Sequence, residues 1–118
     1  MGFLNKEDIL KNKVKQMVKV EVPEWGGAVY LGRMNLTDLI AFYEDNFDAE
    51  GENKIAQAAI MIDLLQKTIM DVDCVRIFGE EDKNAIAELD PKVITRLFKI
   101  SSENLQMNEA SNKKLKKN

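Results

Sequence analysis

The run from Lys19 to Met34 constrains this chain more than any other stretch. Val18, Val20 and Val22 alternate with Lys19 and Glu21, the two-residue period of a half-buried strand. Val29 and Leu31 form a second run, with Ala28, Tyr30 and Gly32 on its other face. Pro23-Glu24-Trp25-Gly26-Gly27 lies between them. Proline presets φ at about −65°, which suits an early turn position. The glycine pair supplies the positive φ that returns the chain on itself. The prediction is a β-hairpin with Trp25 near its tip. Two readings of Trp25 stand. It packs back over the hairpin or an adjacent helix, or it anchors a partner, since tryptophan is enriched at interface hot spots.

Helices are expected elsewhere. Asn5 can cap a short first helix, with Asp8 completing a capping box. Asn35 repeats the signal with Asp38, and Leu36, Leu39, Ile40, Tyr43 and Phe47 follow on one helical face. An acidic loop over 48–53 separates this helix from the most apolar element, expected over 53–70. There Ile55, Ala58, Ala59, Ile62, Leu65 and Ile69 make one stripe, and Ala56, Ile60, Met61 and Leu64 extend beyond it. The polar face left around Lys54, Gln57 and Thr68 is narrow. A helix apolar on most sides is either central or partly covered by another chain. Ile60, Met61 and Leu64, together with Trp25, are therefore the candidate self-association or partner contacts.

Residues 72–78 read as a short strand or extended connector ending at Gly79. Glu80, Glu81 and Asp82 then open a short helix carrying Ala85, Ile86 and Leu89. Asp90-Pro91 is a cap and first-position pair for a last helix with Ile94, Leu97, Phe98 and Leu105 buried. The expected fold is α+β and mainly α: an N-terminal β-hairpin packed on a small bundle of about four to five helices. One domain is expected over 1–106, followed by a polar, basic, disordered tail over 107–118.

Composition narrows the function. A chain of 118 residues suits one domain with a modest core. A net charge of −3 argues against a general nucleic-acid binder. The longest apolar run, Ala58 to Ile62, is too short to span a bilayer. Asn5, Lys6, Glu7 and Asp8 interrupt any leader-like stretch. A lone Cys74 cannot form an intrachain disulfide, which fits a reducing cytosol. It reads as a small buried hydrophobe rather than a reactive thiol.

Histidine is absent, which removes the usual general base, zinc ligand and nucleophile partner. Asp71-x-Asp73 fails as a calcium loop, because Val75 and Ile77 occupy ligand positions and Arg76 stands where glycine is required. The acidic stretch from Glu44 to Glu52 reads as a solvated loop, with a docking surface or a bound cation as alternatives. No catalytic residue, metal or cofactor is expected.

Two stretches together resemble the tail assembly chaperones of long-tailed (siphovirus-like) phages and Gram-positive prophages. One is Glu21-Val22-Pro23-Glu24-Trp25-Gly26-Gly27 with Val29-Tyr30-Leu31. The other runs Val75 to Phe78, Gly79-Glu80-Glu81-Asp82, and Leu89-Asp90-Pro91-Lys92-Val93-Ile94-Thr95-Arg96-Leu97-Phe98. The resemblance covers roughly residues 3–106. It departs at Val72-Asp73-Cys74-Val75-Arg76, where an acidic, glycine-bearing turn is common in that family. The resemblance implies a non-enzymatic chaperone in the host bacterial cytoplasm, absent from the mature virion. It would coat the tape measure protein, help recruit tail tube protein and form homo-oligomers. The alternative is a structural tail or head-tail component retained in the virion. The family also implies a longer frameshifted form, with Lys113-Lys114 and Lys116-Lys117 where a slip on adenines would fall.

Overall fold

A computed structural model of the chain describes residues 2–11 and 17–117, with side chains as far as residue 105. Among these are five α-helices and one three-stranded antiparallel sheet. The chain is α+β and mainly α, as its sequence predicts.

Helix α1, Lys6–Leu10, carries the expected box. The Asn5 side chain accepts from the Asp8 amide at 2.8 Å, and Asp8 accepts from the Asn5 amide at 3.2 Å. None of its residues is buried. Strands β1, Met17–Val22, and β2, Gly27–Gly32, form the hairpin, with Val20 opposite Val29 and Val18 opposite Leu31. A turn of 3-10 helix over Pro23–Trp25 joins them. Only Gly26 of the glycine pair takes positive φ, at 76°; Gly27 already opens β2. Val20 and Val22 point into the core, while Val18 at the outer end of the alternation stays exposed.

Helix α2, Leu36–Asn46, is capped by Asn35, whose side chain accepts from the Asp38 amide at 2.9 Å. Its buried face differs from the expected one. Phe42 and Asn46 are enclosed, whereas Leu36 and Ile40 are exposed. A polar residue at a core position disguises the true stripe, which passes through Leu39, Phe42, Tyr43 and Asn46.

Helix α3, Gln57–Thr68, begins four residues later than the expected Asn53. Asn53 instead bridges to Phe47, and the Lys54 amide donates to the Asn46 carbonyl at 2.8 Å. These bonds close the acidic loop, where the Asp48 carboxylate accepts from the Glu50 and Glu52 amides. From Asp63 to Thr68 every residue of α3 is buried, polar ones included. That enclosure marks a central helix.

Strand β3, Ile69–Met70, follows α3 directly and pairs with β2, so β2 is the middle strand. Met70 lies against Gly32, where an added Cβ would stand 2.5 Å from its sulfur. The strand or connector expected over 72–78 is mostly a tight turn. Asp71 Oδ1 accepts from the Asp73 and Val75 amides, Cys74 takes φ 65°, and Arg76 bridges back to Met70. Local side-chain bonding by Asp71 here outcompetes extended pairing.

A 3-10 turn over Glu80–Asp82 leads into α4, Lys83–Ala87. Helix α5, Pro91–Lys117, is opened by Asp90, whose carboxylate accepts from the Lys92 amide at 3.0 Å. The backbone over 107–117, expected as a disordered tail, continues this helix; Asn118 lies outside the described residues.

The core has two parts. One joins the sheet to α3, α4 and α5 through Val22, Leu31, Leu65, Ile86 and Leu97. The other joins α2 to α3 through Phe42, Ile60 and Leu64, with Met34 between. Phe98 packs against both.

Candidate functional site

The four residues singled out from the sequence do not form one surface. Ile60 and Leu64 are 2% and 1% exposed and share the smaller core cluster. They are packing residues within the single chain, because α2 covers the face that looked surplus. Met61 is half-buried against the larger cluster. Trp25 belongs to neither cluster and is 39% exposed at the hairpin tip.

The hairpin tip is tied to α5. Arg96 donates two parallel bonds to Glu24, Nη1 to Oε2 at 2.8 Å and Nη2 to Oε1 at 3.0 Å. This fork-to-fork geometry fixes orientation as well as distance. The hydrogen bonds from Arg96 hold the Glu24 carboxyl down at about 2, and the same bonds raise the Arg96 guanidinium. Trp25, next to Glu24, is thereby presented from an anchored turn rather than a loose one.

A second polar cluster sits inside the fold, and no sequence-based expectation named it. Asp63 Oδ1 accepts from Lys67 Nζ at 2.5 Å and from Lys83 Nζ at 3.0 Å. Its Oδ2 accepts from Asn46 Nδ2 at 2.7 Å. Glu80 completes the set, with Lys83 at 2.8 Å and Lys67 at 3.4 Å. Asp63 and Lys67 are both about nine-tenths buried or more. Their i, i+4 spacing in an apolar helix was the available signal, since such residues must be either exposed or paired.

The electrostatics follow from the contacts. Burial works against the ionised Asp63, yet hydrogen bonds from Lys67, Asn46 and Lys83 outweigh it and hold the carboxyl below its ordinary range. Glu80 is lowered chiefly by its bond from Lys83. Burial opposes the charged Lys83, but Glu80 and Asp63 together hold its ammonium above the ordinary value. A nucleophilic lysine needs the opposite shift. Two cations and two anions close on each other, so the cluster pins α2, α3 and α4 together.

Thr68 and Ser101 make a smaller polar link. Ser101 Oγ donates to Thr68 Oγ1 at 3.0 Å, and Thr68 Oγ1 donates to the Leu64 carbonyl at 2.8 Å. Both residues are buried where α3 and α5 pack. Among the described residues, no three His, Cys, Asp or Glu side chains group to hold a metal ion. No described helix is long and apolar enough to cross a membrane.

The fold is an antiparallel three-stranded sheet joined directly to a central helix and backed by a long C-terminal helix. The chain is similar in structure to the bacteriophage HK97 tail assembly chaperone, with a TM-score of 0.57 over 73% of this chain and 81% of that one. At 20% identity the likeness is one of fold. No protein-family model and no curated protein matches the sequence.

Proposed function

We propose that this chain is a tail assembly chaperone of a phage or prophage, acting by binding rather than catalysis. The likeness of fold to the bacteriophage HK97 tail assembly chaperone carries this reading. It agrees with the hairpin and late-helix motifs, which the Glu24–Arg96 pair joins in the fold. In this reading the protein coats tape measure protein in the host cytoplasm, helps recruit tail tube protein and leaves before the virion matures.

The chemistry of the surface supports a binding role. Phe3, Leu4, Ile9 and Leu10 at the N-terminal segment, Leu36 and Ile40 on α2, and Trp25 at the anchored turn are all exposed. A long apolar-striped helical client would give such side chains a partner, and removing both surfaces from water drives association.

The test is to co-express the chain with a candidate tape measure protein, a long helical chain encoded in the same genome. The expected result is a soluble complex, weakened by Trp25→Ser without loss of the folded circular-dichroism spectrum. Light scattering of the free chain tests homo-oligomer formation. Mass spectrometry of purified particles then separates a chaperone, which is absent, from a retained tail component. A tape measure protein that remains insoluble and unbound would refute the reading.

A further inference from the structure

Strand β1 is an edge of the sheet, six residues long and paired only with β2. The opposite edge, β3, has two residues, and Arg76 bridges to it at Met70. Alternate residues of an edge strand turn their N–H and C=O groups away from the sheet, which makes a template for a further strand. Among the described residues, no backbone hydrogen bond outside the β1–β2 ladder involves Met17 to Val22. Lys19 and Glu21 share the outer face of the strand, with side chains 59% and 72% exposed. On the core-facing side Val20 and Val22 are buried, but Val18 is exposed.

This edge is complementary to itself. Two antiparallel copies related by a two-fold axis through Val20 set Lys19 opposite the partner's Glu21, and Glu21 opposite the partner's Lys19. The same register sets the exposed Val18 opposite the partner's Val22. Directly opposed residues have Cβ atoms about 5 Å apart, within reach of an ion pair. Other registers lose the match. An axis through Lys19 opposes two lysines, and an axis through Glu21 opposes two glutamates. A slip of one residue sets Lys19 against Val20 and mixes the two faces. A lone lysine on an edge discourages pairing. Glu21, two residues on and on the same face, turns that repulsion into a match for one partner, the strand itself.

We propose that β1 pairs antiparallel with β1 of a second copy of this chain, in the register centred on Val20, and joins two three-stranded sheets into one of six strands. The contact is isologous, so it closes at a dimer. A single strand pair falls short of the roughly 1,000 Å² that a stable interface buries, so the dimer is weak and concentration-dependent. It gives a surface to the self-association in the chaperone reading without depending on the client; a chain that binds no tape measure protein would still pair.

The experiment is sedimentation equilibrium of the full chain over a concentration series at low salt. The original chain is expected to show a monomer–dimer equilibrium. Lys19→Glu sets two carboxylates opposite each other at both ends of the contact, and Glu21→Lys sets two ammonium groups opposite each other. Each change alone should weaken the dimer by about tenfold. Both positions are exposed, so circular dichroism should show the fold intact. Glu21→Lys lowers the net negative charge, so general charge repulsion would move the equilibrium the other way. An equimolar mixture of the two single variants restores both Lys–Glu pairs in a heterodimer. The double variant Lys19→Glu, Glu21→Lys restores them in a homodimer. Both should dimerise like the original. A chain that stays monomeric at every concentration overturns the proposal. So does self-association that the single variants leave unchanged, or that neither the mixture nor the double variant restores.

Discussion

The Asp63–Lys67 and Glu24–Arg96 pairs sit in opposite environments. Glu24–Arg96 has the better geometry, two parallel bonds, but its side chains are 41% and 39% exposed. Asp63–Lys67 has one short contact, and its side chains are 5% and 4% exposed. Geometry alone would rank the exposed pair first. Environment reverses the order for any change that removes one partner. Water replaces a lost partner at the hairpin tip, whereas a charge left inside α3 keeps only a partner it already shares, Glu80 for Lys67 and Lys83 for Asp63. The buried pair therefore constrains the fold, and the exposed pair constrains only where the turn points.

The largest expected effect tests that ranking. Asp63→Ala leaves Lys67 buried without its nearest carboxylate and should destabilise the fold by about 3–5 kcal/mol in urea unfolding. Replacing the pair with Asp63→Leu and Lys67→Met should recover most of that loss, since well-packed apolar groups substitute for a buried ion pair at little net change. A double variant as unstable as the single one would show that the pair contributes in its own right.

Next comes Leu64→Ala, which should remove about 2–5 kcal/mol by opening a cavity beside Phe42. The same variant should leave self-association of the folded fraction unchanged, because Leu64 is enclosed by its own chain.

The pH dependence is a smaller effect with a defined sign. Asp63 and Glu80 are held below their ordinary values of 3.8 and 4.5, so the folded state favours their ionised forms. Their contribution is complete above those values and is lost as pH falls through the lower folded-state values. Glu80 is mostly exposed, so Asp63 should dominate this acid limb. Lys83 is held above 10.5; its contribution is complete below that value and lost as pH rises through the folded-state value. Melting temperature against pH should show both limbs, with a shallower acid limb in the Asp63→Leu, Lys67→Met variant.

The smallest effect belongs to the exposed pair. Glu24→Gln should leave the urea midpoint within experimental scatter, yet speed hydrogen exchange at the Trp25 and Gly26 amides. A midpoint shift as large as that of Asp63→Ala would break the comparison outright.

These contrasts track what could be read from the chain. The hairpin and the caps at Asn5, Asn35 and Asp90 were legible because each depends on residues within a few positions. The start of α3 was not, because Asn53 is drawn off by Phe47, a partner fixed by the loop between them. Strand β3 was hidden for a similar reason. Ile69 and Met70 continue the apolar run of α3, and only pairing with β2 makes them a strand. At the candidate site, Trp25 stood where the turn chemistry put it. Ile60 and Leu64 looked like surplus because the burial of Phe42 against them crosses between helices. Asn46 was equally illegible, since its amide acquires a purpose only when Asp63 arrives from α3.

The passage from Thr68 to Ile69 without an intervening loop has a consequence for how the molecule opens. A loop would let a helix tilt while its strand stayed paired. Here the last helical residue and the first strand residue are neighbours, so leaving β2 reorients α3, and undocking α3 strips the sheet of its third strand. The sheet and the central helix should breathe as one cooperative unit. The slowest-exchanging amides of β2 and α3 should then share a single opening free energy.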